Sequence, residues 1–103
     1  MNNENLIGYI GDYRIHDSKI HTIETDNDNI HVSLVSENKE IVKATFIEVK
    51  SIKSNDAEGM ILYSIIEIKE QQPYRKFIFV NWDEEDASYL EIVAKDCIIN
   101  FQN

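Results

Sequence analysis

Three histidines, His16, His21 and His31, are the residues of this sequence best suited to hold a metal ion. A zinc site needs three or four ligands that converge on one point. His21 and His31 fall on neighbouring predicted strands, but the alternation of side chains along a strand places them on opposite faces. We therefore interpret the histidines as surface or hydrogen-bonded residues and predict no metal site.

Two acidic segments have the composition of a cation-binding loop without its spacing. Residues 26–29 read Asp-Asn-Asp-Asn, as at the start of a calcium loop. The sixth position of such a loop needs a glycine for a sharp turn, and here it is His31. Residues 83–86 are four consecutive acids with no ligand-like spacing. Both segments are predicted to be solvated turns.

No catalytic arrangement is recognisable. His16 and Asp17 are neighbours in sequence, so their side chains need not touch, and no nucleophile elbow or phosphate-binding glycine loop is present. The single cysteine, Cys97, excludes a disulfide within the chain. It lies beside Ile98 and Ile99 and is predicted to be a small buried apolar residue. We expect no enzyme activity, no catalytic residues and no cofactor.

An aromatic and acidic segment near the C-terminus is the best candidate for contact with a partner. Aromatic side chains anchor protein interfaces, and carboxylates steer a basic partner toward them. The predicted partner-binding residues are Trp82, Asp83, Glu84, Glu85, Asp86 and Tyr89. The alternative interpretation is a solvated loop that joins two strands.

Nineteen acidic and ten basic residues give the chain a formal net charge of −9. Most of this surface would repel a phosphate backbone or an anionic membrane, so nucleic acids and membranes are disfavoured as partners. A basic protein would be attracted and steered toward it. Simple solubility is the alternative reason for such a charge.

Length and composition indicate one domain over residues 1–103. Apolar residues make up 43% and charged residues 28%, as in ordinary globular domains. We expect a cytoplasmic protein, because no signal peptide is visible and no apolar run has the length of a membrane span. The abundance of Ile, Asn, Lys and Glu suggests a bacterial genome of low GC content.

The segments 30–35 and 41–46 carry the clearest strand pattern, with apolar and polar residues in alternation. A turn between them would bring apolar residues together in three pairs: Leu34 with Val42, Val32 with Ala44, and Ile30 with Phe46. The agreement of these pairs favours a hairpin. Beyond Phe46 the pattern shifts by one residue, which predicts a β-bulge or a strong bend.

Turn-forming clusters at short intervals predict seven strands joined by short loops. The strands are expected at 19–25, 30–35, from the turn 36–40 past Phe46, 60–69, 76–82, 89–94 and 98–101, with a tight turn at Asp96 and Cys97. A short helix over residues 4–10, ended by Gly11, should precede them. We expect an all-β antiparallel meander that forms a curved sheet or a partly open barrel.

The segment 15–20, Ile-His-Asp-Ser-Lys-Ile, just before the first predicted hairpin, resembles a motif in a loose group of small bacterial β-proteins. Some of these proteins look like immunity proteins of toxin systems. The run 46–52, Phe-Ile-Glu-Val-Lys-Ser-Ile, is similar to their long central strand. The resemblance implies a β-rich domain and a structural role for His16 and Asp17. We expect the Asp17 carboxylate to accept backbone N–H bonds and His16 to be partly buried.

These observations favour a non-enzymatic acidic binding protein. Its sharper form is an immunity-type inhibitor that covers a basic bacterial toxin. The alternative is a small β-barrel that binds a small ligand.

Overall fold

The computed structural model describes residues 5–102, which form seven strands in one antiparallel sheet. The strands are β1 Leu6–Tyr9, β2 Lys19–Asp26, β3 Asn29–Val35, β4 Ile41–Asn55, β5 Leu62–Ile68, β6 Arg75–Asn81 and β7 Tyr89–Gln102. The predicted all-β, antiparallel, seven-stranded architecture is confirmed. No helix within residues 5–102 has the length and apolar character needed to cross a membrane.

The strand order β1-β5-β6-β7-β4-β3-β2 departs from a simple meander at two places, because β1 pairs with β5 and β4 pairs with β7. β2, β3 and β4 form one meander, and β5, β6 and β7 form another. The two are joined because β4 pairs with β7 rather than with β5. β4 and β7 are the longest strands, at 15 and 14 residues. Besides pairing with each other, β4 pairs with β3 along its first half, and β7 pairs with β6 along its first half.

The sheet bends strongly where β4 leaves β3. Glu48 has a left-handed φ of 52°, and the pairing of β4 with β7 shifts between Val49 and Ser51. This irregularity is the bulge that the shifted pattern beyond Phe46 predicts, and it is confirmed. A bulge increases the local twist and bends the strand.

The curvature brings the start of β2 to the residues just before β5. The N–H of Ile20 donates to the carbonyl of Met60 at 2.9 Å, and the N–H of Leu62 donates to the carbonyl of Ser18 at 2.8 Å. We call this contact the seam. It is a short contact with one isolated bridge, and the sheet does not close into a continuous barrel.

The core lies inside the curved sheet. The three apolar pairs predicted between β3 and β4 are all present, and Phe46 is fully buried. Its ring packs edge-on against Phe77 at 5.2 Å between centroids and lies 5.7 Å from Phe79. Aromatic rings in this arrangement gain energy beyond the area that they bury.

The predicted helix over residues 4–10 is wrong. Residues Leu6–Tyr9 form β1, which pairs with β5 from Ile68 to Ile66, and residue 4 lies outside the described residues. A helix of this length is marginal in water without tertiary support. The free edge of β5 supplies hydrogen-bond partners to an extended chain, so pairing decides the conformation.

The predicted turn at Asp96 and Cys97 is also wrong, because β7 continues through both residues. The Asp96 carboxylate suggested a turn, but Oδ1 instead accepts bonds from the Cys97 N–H and the Arg75 guanidinium, both at 2.8 Å. The long partner strand β4 keeps this segment extended. Cys97 is partly buried, and burial raises the pKa of its thiol to about 12.

Backbone and buried groups fasten the connection between β1 and β2. Asp17 has a φ of 66°, and its N–H donates to the carbonyl of Leu62 at 2.8 Å. Ser18 is fully buried, and its hydroxyl donates to the carbonyl of Ile15 at 2.6 Å. Within the segment 15–20, Asp17 and Ser18 therefore have structural roles.

The prediction that the Asp17 carboxylate accepts backbone N–H bonds is wrong. The His16 side chain is 48% exposed, and its Nδ1 lies 2.9 Å from the carbonyl oxygen of Tyr63. Among the described residues, the Asp17 carboxylate contacts the His16 ring at 3.5 Å rather than backbone N–H groups. The left-handed turn at Asp17 redirects the chain, so the backbone of this residue makes the anchoring bond.

The first prediction tests the core. Phe46→Ala should lower the free energy of unfolding by about 3–5 kcal/mol, because it removes buried apolar area and leaves a cavity between two other rings. Urea denaturation measures the loss. Ile7→Ala, at a residue 57% exposed, is the control and should change stability by less than about 0.5 kcal/mol. A loss below about 1 kcal/mol for Phe46→Ala would contradict the packing.

The second prediction separates the backbone of Asp17 from its side chain. Asp17→Ala should destabilise the domain by about 1 kcal/mol, because a left-handed φ is costly for alanine. Asp17→Gly should lose less, because glycine adopts this conformation freely. Equal or greater loss in the glycine variant, measured by urea denaturation, would show that the carboxylate provides the stability.

Candidate functional site

Trp82 stands at the end of β6 and is 58% exposed. The backbone N–H of Trp82 donates to the carbonyl of Ile61 at 2.9 Å, and this bond ties Trp82 to the chain at the seam. Ile61 is itself 48% exposed. Two large apolar side chains are thus held at the surface by a backbone bond between their residues.

A shallow groove of about 410 Å³ opens beside these two residues, and its exposed surface is mainly apolar. Its walls come from both sides of the seam and from the turn between β3 and β4. Residues that line it are Asp17, Lys19, Val35, Ser36, Glu37, Lys39, Ile61 and Trp82. We call this feature the Trp82 groove.

An apolar row extends the groove across the outer face of the sheet. Ile61 forms an isolated β-bridge with Lys19 across the seam. Lys19 in turn pairs with Val35 of β3, and Val35 pairs with Ile41 of β4. Directly paired residues point to the same face. Ile41 is 45% exposed, so apolar surface continues from Trp82 to the start of β4, with the Lys19 stem between its two halves.

In the acidic loop after Trp82, two of the four carboxylates accept hydrogen bonds that shape the loop itself. The Asp83 carboxylate accepts the N–H of Glu85 at 3.0 Å. The Asp86 carboxylate accepts bonds from the Asn81 amide and from the N–H and hydroxyl of Ser88, all at 3.1–3.2 Å. The bond from Asn81, followed by that from the Ser88 N–H, holds the pKa of the Asp86 carboxyl below its usual value.

The predicted partner-binding residues therefore divide into three groups. Trp82 lines the groove, and Asp83 and Asp86 shape the loop. Glu84 and Glu85 are exposed, and their carboxylates bond to no described residue. Tyr89, 46% exposed, lies outside the groove lining and pairs with Asn55 of β4.

Sequence reasoning missed the apolar partners of Trp82. Ile61 lies between Met60 and Leu62, which are both buried, and reads as part of a two-faced central strand. Ile41 begins a strand whose next residue is in the core. Only the curvature of the sheet places Ile61 beside Lys19, and no local pattern reports that contact.

The histidines are separated by the fold. His31 lies 3.1 Å from the Thr45 hydroxyl through Nδ1 and 3.8 Å from the Asp26 carboxylate through Nε2. His21 is exposed at an irregular point of the pairing between β2 and β3. Within residues 5–102 no group of three or more His, Cys, Asp or Glu side chains is placed to hold a metal ion.

A second charged cluster, formed by Glu67, Arg75 and Asp96, holds neighbouring strands together. Glu67 of β5 is 7% exposed, and both of its carboxylate oxygens accept bonds from Arg75 of β6, at 2.7 and 2.9 Å. Arg75 also donates to Asp96 of β7 at 2.8 Å. The bond to Glu67 raises the pKa of the Arg75 guanidinium. One cation therefore joins three strands and satisfies a nearly buried carboxylate.

No protein-family model, no curated protein and no solved structure gave a significant match.

Proposed function

We propose that this chain is a non-enzymatic binding protein that docks a basic protein on the Trp82 groove and the neighbouring acidic loop. The observation that carries the proposal is the pair of exposed apolar side chains, Trp82 and Ile61, fixed by a backbone bond beside an apolar groove. Tryptophan is among the residues that contribute most to binding energy at protein interfaces.

The exposed apolar surface supports a docking role. Trp82, Ile61 and Ile41 are all close to half exposed and belong to one continuous feature. Contiguous apolar surface with a polar rim is typical of interaction sites. The rim here carries both signs of charge, from Asp17, Glu37, Lys19 and Lys39. A mixed rim fixes the orientation of a partner without contributing much affinity.

Charge supports a basic partner. The chain carries −9, and Glu84 and Glu85 next to Trp82 have no internal bonds to break when a cation approaches. Exposed carboxylates of this kind raise the rate of association with a basic protein, and salt weakens the effect.

An immunity-type inhibitor is the sharper form of the proposal. The 15–20 segment that resembles the immunity-like group contributes Asp17 and Lys19 to the groove lining. The same segment buries Ile15, Ser18 and Ile20, so it anchors the groove to the core. A small-ligand protein is the alternative. The packing of Phe46, Phe77 and Phe79 inside the sheet favours the docking role, because these rings occupy the space that an interior ligand would need.

The third prediction tests the anchor. A basic protein captured by the chain and then purified should bind Trp82→Ala at least about tenfold more weakly than the wild type, as expected for an interface anchor. Titration calorimetry measures the affinities. Tyr9→Ala is the control, because Tyr9 is 68% exposed on β1, away from the groove. Equal affinities for wild type and Trp82→Ala would place the interface elsewhere.

The fourth prediction tests steering by the loop. Glu84→Gln with Glu85→Gln should slow association with the same partner several-fold at low salt and change it little at high salt. Stopped-flow fluorescence measures the rates. The matched control is Glu24→Gln with Asp28→Asn, which removes the same charge from exposed sites outside both the loop and the groove. An unchanged salt dependence in the loop variant would contradict steering by these two carboxylates.

A further inference from the structure

The second half of β7, residues 96–102, has a strand on one side only within the described chain. β6 pairs with β7 no further than Ala94, whereas β4 pairs with it as far as Gln102. Apart from the pairing with β4, no backbone bond from another described segment reaches residues 96–102. We call this segment the β7 edge.

The backbone direction along the β7 edge follows from two bonds. Oδ1 of Asp96 accepts from Arg75 of β6 and from the N–H of Cys97. The Cys97 N–H therefore points to the side away from β4. Backbone groups alternate in direction along a strand. The N–H and C=O groups of Ile99 and Phe101 thus point to the same free side.

The other free edges of the sheet are protected. On β2, the N–H of Ile23 donates to the Glu58 carboxylate at 3.1 Å, which caps that edge. The second half of β4 carries Lys50 and Lys53, and charged lysines discourage the addition of a strand. β1 has only four residues, and a very short edge strand is a poor template for adding another strand.

The β7 edge is capped only at its start, where the Asp96 carboxylate accepts the N–H of Cys97 at 2.8 Å. Within the described chain, no bond outside the pairing with β4 involves the backbone groups of Ile99 and Phe101. Residues 97–102 read Cys-Ile-Ile-Asn-Phe-Gln, with no charge, glycine or proline. Ile98 is 47% exposed on the outer face, and Cys97, Ile99 and Phe101 are only partly buried against the core. An uncharged, partly exposed apolar edge of this composition favours pairing with another strand.

We propose that two copies of this chain pair antiparallel through their β7 edges, about a two-fold axis at Ile99. Each Ile99 would exchange backbone bonds with its copy, and Cys97 would lie opposite Phe101. Two molecules of charge −9 repel each other over most of their surface. The β7 edge itself adds little to this repulsion, because its one charged residue, Asp96, is bonded to Arg75.

Sedimentation of the full chain over a range of concentrations tests the proposal. The mass should rise from 12.0 kDa toward twice that value. Ile98→Lys should raise the dimer dissociation constant at least about tenfold, because two added charges would lie close together across the axis. Asn100→Lys places the same charge at another exposed outer residue and serves if Ile98→Lys does not fold.

Ile7→Lys is the matched control, because Ile7 is 57% exposed on the β1 edge. It should leave the dimer unchanged. In a Cys97→Ser background, Ile99→Cys should form an intermolecular disulfide on oxidation, since Cα atoms about 5.5 Å apart suit that bond. A monomer at all concentrations up to about 1 mM, a scale weaker than ordinary specific association, would overturn the proposal. Dissociation by Ile7→Lys instead of Ile98→Lys would also overturn it.

Discussion

The pairing of β4 with β7 is the contact on which the rest of this structure depends. It joins two meanders that are each local in sequence, and it supplies the central strands of the sheet. Phe46 lies on β4, whereas its aromatic neighbours Phe77 and Phe79 lie on β6. The core therefore exists only when both meanders meet. Loop closure over such a sequence distance costs entropy that the later packing must offset.

The sequence predicts the fold well where strands are neighbours in the chain. The register between β3 and β4 could be read from three apolar pairs, because hairpin pairing requires no knowledge of distant residues. β1 and the second half of β7 could not be predicted in this way. Their conformations depend on β5 and β4, which lie far away in sequence.

In the candidate site, too, features that are local in the sequence could be predicted and features that depend on distant residues could not. Trp82 could be singled out by its residue type and its acidic neighbours, and it is exposed. Ile61 is its neighbour across the β5–β6 hairpin, whereas Val35 reaches the groove only because the curvature of the sheet brings Lys19 to Ile61. The acids looked alike in sequence, but Asp83 and Asp86 accept bonds within the loop, whereas Glu84 and Glu85 do not. Side-chain length explains the difference, since aspartate caps nearby backbone N–H groups better than glutamate.

Because the Trp82 groove lies on the seam, binding of a partner in the groove is coupled to whether the seam stays closed. Lys19 belongs to β2 on one side of the seam, and Ile61 and Trp82 lie on the other. The seam is short, so it is a natural place for the sheet to open locally. A molecule that contacts both sides of the seam binds the closed conformation in preference to the open one. By mass action, such a bound molecule would raise the free energy of unfolding of the domain.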